Sequence, residues 1–68
     1  MVIIVYKILV ADDEKVIRFG IKNVIPWESM NVDCVLEAKN GLEALEIYNQ
    51  EHPDIVITDI KMPGLDGI

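Results

Sequence analysis

A chain of 68 residues makes one domain at most. Its formal net charge of −6 excludes direct binding to a nucleic-acid phosphate backbone, which the chain on its own would repel. At 51% hydrophobic and 26% charged residues the composition is globular and far from disorder, and the lone Cys34 excludes an internal disulfide or a cysteine-built zinc site.

No run approaches ~18 apolar residues, so no membrane span is expected. The first five residues lack the basic start and cleavage site of a secretion signal. The expected compartment is the cytoplasm, with Cys34 reduced.

Residues 2–11, VIIVYKILVA, are almost all apolar and rich in β-branched side chains, then stop at Asp12-Asp13-Glu14. That pattern predicts a strand buried on both faces, as in a parallel sheet under helices. Lys7 interrupts the run and is expected to snorkel to an end of the sheet. Over residues 14–25, Ile17, Ile21, Val24 and Ile25 recur at helical spacing between Lys15, Arg18 and Lys22. Asp12 or Asp13 is expected to cap this helix, and Pro26 to end it by disfavouring helical geometry at Ile25. Trp27 is expected as a packing lid over it.

Residues 32–38 alternate, with Val32, Cys34, Leu36 and Ala38 on one side and Asp33 and Glu37 on the other, the pattern of an edge strand with one wetter face. Asn40 followed by Glu43 predicts a capping box, and Leu42, Leu45 and Tyr48 form the apolar stripe of a second helix that ends before Pro53. Residues 54–58, DIVIT, read as a short third strand, closed by Asp59 and the Met62-Pro63-Gly64 loop signal.

The order β-α-β-α-β specifies a parallel sheet with right-handed crossovers. With strand order 2-1-3 the switch point falls between the first and third strands, where open α/β sheets place their ligands. Asp12, Asp13 and Asp59 are expected to meet there, because adjacent strands lie ~4.8 Å apart. Carboxylates this close repel by ~4 kcal/mol per pair at an effective dielectric of ~20. A hard dication with oxygen ligands offsets that, and Mg²⁺, which takes one or two carboxylates with waters and phosphate oxygens, fits. Beside it, a carboxylate has the chemistry to attack a phosphoryl group.

Three stretches resemble the receiver domain of two-component response regulators. They are Leu9-Val10-Ala11-Asp12-Asp13-Glu14, Ala38-Lys39-Asn40-Gly41, and residues 54–67 with their Asp-x-x-Met-Pro-Gly-x-x-Gly pattern. The resemblance covers residues 7–68, and the motifs occur in the family's order and spacing. Ile25-Pro26-Trp27-Glu28 is similar to the linker of receivers attached to AraC-type DNA-binding domains.

The resemblance implies a truncated flavodoxin-like fold, with residues 1–68 as the N-terminal part of a receiver. It implies Asp59 as the acceptor of a phosphoryl group from a sensor histidine kinase, with DNA reached only through an absent output domain. It further implies Mg²⁺ held by Asp13 and Asp59 directly, by the Lys61 backbone carbonyl, and by Asp12 mainly through water. Lys61 also occupies the position that tunes access of hydrolytic water to the acyl phosphate.

Family receivers run to ~120 residues in five βα units. The hydroxyl residue and the lysine that end the fourth and fifth strands are therefore expected to be missing, leaving poor phosphotransfer and no signalling from this chain alone. Size scaling gives ~100 kcal/mol of apolar burial against ~100 kcal/mol of ordering entropy, a balance near zero. With the third strand as an apolar edge, the chain is expected either to associate through that strand into a homo-oligomer or to be a piece of a longer chain that supplied the fourth strand.

The alternative reading is an inactive structural or oligomerising remnant of a receiver. A haloacid dehalogenase-type phosphohydrolase is disfavoured because its two acids are separated by one residue on the first strand, whereas Asp12 and Asp13 are adjacent. A flavodoxin-type binder would want a Ser/Thr/Gly-rich phosphate loop where Asp12-Asp13-Glu14 stands.

Overall fold

A computed structural model describes residues 4–58. The elements run β1 (Tyr6–Ala11), α1 (Lys15–Val24), a 3-10 turn (Trp27–Met30), β2 (Val32–Ala38), α2 (Gly41–Glu51) and β3 (Ile55–Thr58). The strands form one parallel sheet in the order β2-β1-β3, as the element order implied. Residues 2 and 3 of the expected first strand lie outside the described residues, and pairing begins at Tyr6, where the N–H bonds the Asn31 carbonyl at 2.7 Å.

Two apolar clusters sandwich β1, which is why its residues read as a continuous apolar run. On one face Leu9 and Ala11 pack with Ala38 of β2 and Ala44 of α2, flanked by Leu36 and Ile47. On the other, Ile8 and Val10 pack with Val32, flanked by Ile21 of α1, Trp27, Val35 and Ile57. Lys7 meets the end of α2, its Nζ donating to the Glu51 carbonyl at 3.1 Å and pairing with the Glu51 carboxylate at 3.4 Å. The Trp27 indole N–H donates to the Ile21 carbonyl at 3.2 Å, so the ring covers the last turns of α1 as a lid.

Three sequence expectations need correction. The alternation in β2 does not put Val32 with Leu36 and Ala38. The ladder slips between Tyr6 and Lys7, which pair with Val32 and Cys34, so Asp33 is passed over and Val32 turns to the α1 side. One surplus residue inverts a period-two pattern. In α2 the Leu42, Leu45 and Tyr48 stripe faces outward, with Leu42 66% exposed, while Ala44 and Ile47 meet the sheet. A small residue is what allows the helix to approach the strands closely. In α1 only Ile21 of the four stripe residues packs on the cluster beneath, and Val24 is 80% exposed, because the stripe is wider than the part of the sheet the helix covers.

The α2 start follows expectation. Asn40 is the N-cap, its Oδ1 accepting from the Glu43 N–H at 2.7 Å, while the Glu43 carboxylate reaches back to the Lys39 N–H at 3.2 Å. Asn40→Ala removes the first bond and leaves a backbone donor without its side-chain acceptor. A loss of about 1 kcal/mol in urea-unfolding stability is expected, with Asn40→Ser close to wild type.

Candidate functional site

The carboxyl ends of β1 and β3 define the site. In the β1–β3 ladder Ala11 pairs with Thr58, so both strands reach the same level, and the chain leaves β1 directly into Asp12 and Asp13. Asp59 follows Thr58 in sequence. Asp59 and Lys61 both lie outside the described residues, so of the four expected ligands the structure positions Asp12 and Asp13.

Asp12 is fixed at three points. Its N–H extends the β1–β2 ladder to the Ala38 carbonyl at 3.0 Å, its carbonyl accepts from Arg18 Nη1 at 2.6 Å, and its Oδ1 accepts from the Glu14 N–H at 2.8 Å. The last bond is an Asx turn, a short-range motif in which an Asp side chain imitates a backbone acceptor. It corrects the capping expectation: the Asp12 carboxylate is spent on the Glu14 N–H and Asp13 is exposed, so neither caps α1; Glu14 is the N-cap and makes no side-chain cap bond. Asp13 has no ion pair among the described residues, whose salt bridges join Lys7 to Glu51 and both Arg18 and Lys22 to Glu37. No group of three or more potential metal ligands occurs among the described residues.

Sequence reasoning treated Arg18 as one of the polar residues of α1. In the fold it crosses from α1 to the end of β1 and to Glu37 on β2, with only 13% of its side chain exposed. The one sequence signal was its place one turn after the acidic pair.

A family model described as the response regulator receiver domain matches residues 8–68. The chain belongs to the response regulator receiver family. Relatives include the transcriptional regulatory protein YesN of Bacillus subtilis, 51% identical over 63 residues, and the transcriptional regulatory protein HptR of Staphylococcus aureus, 43% identical over 63. Each alignment covers 93% of this chain, but only 17% and 25% of those relatives respectively. Among solved structures, the receiver domain of AraT, a response regulator from Geobacillus stearothermophilus, superposes with a TM-score of 0.82 at 43% identity, over 88% of this chain and 46% of that one. The receiver's β-α-β-α-β half with sheet order 2-1-3 is thus present here. No helix among the described residues is long and apolar enough to cross a membrane.

Proposed function

We propose that this receiver accepts a phosphoryl group on Asp59 from the phosphohistidine of a sensor histidine kinase, and so governs a DNA-binding output domain carried elsewhere in a longer protein. The observation that supports this is the matched ending of β1 and β3 at Ala11 and Thr58, one residue before Asp12 and one before Asp59. The transcriptional regulators among the relatives support the output side of the reading.

In the transfer, an Asp59 carboxylate oxygen forms the new bond to phosphorus as the phosphorus–nitrogen bond to the kinase imidazole breaks, and the electron pair of that bond leaves with the imidazole. The donor set suits a hard dication, since Asp13 offers an exposed carboxylate that no described cation neutralises. Asp13, Asp59 and the Lys61 carbonyl would hold Mg²⁺, with Asp12 acting through water because its Oδ1 is engaged in the Asx turn. When bound, the ion supplies positive charge that offsets the carboxylates and the phosphoryl oxygens.

Calorimetric titration of the protein with Mg²⁺ tests the site. Saturation at ~100 times the dissociation constant stabilises the fold by ~2.7 kcal/mol, and Asp13→Asn is expected to abolish both the binding heat and the thermal shift. Trp27 is a poor reporter of this event, since it packs beside Val32 where the strands begin, at the opposite end of the sheet. Equal responses from wild type and Asp13→Asn reject the metal assignment. Absence of both metal binding and phosphorylation leaves the inactive remnant as the better account.

A further inference from the structure

Arginine is seldom buried without a reason, and Arg18, with 13% of its side chain exposed, pairs with the Glu37 carboxylate but not with that of Asp12. Its Nη1 donates instead to the carbonyl of Asp12 at 2.6 Å, and its Nε faces Glu37 Oε1 at 3.4 Å. The Asp12 carbonyl belongs to the peptide joining Asp12 to Asp13, so this bond sets the plane from which Asp13 departs. The N–H of Asp12 is held from the other side by Ala38, on the same strand as Glu37. The peptides on both sides of Asp12 are therefore tied down, one by β2 and the other by α1.

A fixed guanidinium next to a cation site would repel the cation unless its charge were matched. Glu37 does the matching, and Lys22 reaches the same carboxylate at 3.5 Å. Arg18 thereby serves as a hydrogen-bond donor whose charge is offset by Glu37, a carboxylate it shares with Lys22. We propose that Arg18 is a positioning residue for the divalent-cation site: by clamping the Asp12–Asp13 peptide from α1 it presents the Asp13 carboxylate in a fixed direction, with Glu37 as its counter-charge. This rests on the cation reading of Asp12, Asp13 and Asp59 given above.

The test measures Mg²⁺ affinity by calorimetry in wild type, Arg18→Met, Arg18→Lys, Glu37→Gln and Asp13→Asn, with urea unfolding of each without metal. Groups that orient a metal ligand typically change affinity 10- to 100-fold. Arg18→Met, which keeps the aliphatic stem but no donor, is expected to weaken Mg²⁺ at least tenfold. Arg18→Lys still offers one N–H to the Asp12 carbonyl and is expected to stay within about threefold of wild type, a rescue. Glu37→Gln, which leaves the guanidinium unmatched, is expected to weaken Mg²⁺ by a few-fold. If Asp13→Asn abolishes binding while folded Arg18→Met binds like wild type, the positioning role is overturned and the cation site stands. Should Arg18→Met fail to fold, Arg18→Lys and Glu37→Gln decide. Wild-type affinity in Glu37→Gln, or an Arg18→Lys affinity as low as that of Asp13→Asn, overturns the proposal. No Mg²⁺ binding by wild type overturns the underlying cation reading, and the proposal with it.

Discussion

Asp59→Asn is expected to abolish phosphorylation: incubated with phosphorylated kinase or a small phosphodonor, wild type gains the mass of one phosphoryl group and the variant gains none. The amide matches the carboxylate in size but carries no anionic oxygen, so there is no nucleophile for phosphorus and the effect is loss rather than slowing. Asp13→Asn, which leaves the nucleophile intact, is expected to slow acylphosphate formation and to remove its Mg²⁺ dependence. Intact-mass spectrometry over a time course separates the two. A phosphoryl adduct on Asp59→Asn at the wild-type rate would show that another residue is the acceptor.

The largest effect on stability is expected from Leu9→Ala. Leu9 is fully buried at the centre of the middle strand, paired with Leu36 on one side and Val56 on the other. Its cluster contains Ala11, Ala38 and Ala44, short side chains that cannot swing inward to fill a void. Truncation therefore leaves an uncollapsed cavity, and a loss of about 3–5 kcal/mol is expected. At ~0.05–0.15 kcal/mol per residue that is much of the stability a domain of this size has, so the variant is expected to lose its cooperative urea transition. Leu42→Ala, at an exposed site on α2, is the control and should stay within ~0.5 kcal/mol of wild type. A Leu9→Ala midpoint equal to that of Leu42→Ala would contradict this account of the core.

The architecture was legible because its signals are strong and local. A nearly uninterrupted apolar run gave β1, the Asn40 and Glu43 pair gave the start of α2, and Pro26 and Pro53 bounded the helices. What escaped were properties decided by neighbours distant in sequence. Nothing local to Val32 announces that Asp33 will be skipped in the ladder, and nothing in a stripe of leucines says that the sheet will choose Ala44 and Ile47 instead. The acidic pair was legible as a site, but its wiring was not. The Asx turn and the Arg18 clamp depend on where α1 sets down relative to the end of β1, which is a tertiary fact.

The slip at Asp33 also bears on how the molecule behaves in a crowded solution. β2 forms one outer margin of the described sheet, where a regular row of free amides and carbonyls would invite stacking of one molecule's strand on another's. An unpaired aspartate interrupts that row near its start, and Glu37 adds a second negative charge near its far end, itself tied to α1. The same irregularity that hands Val32 to the α1 side thus also breaks the regular edge that β2 would otherwise present on this flank.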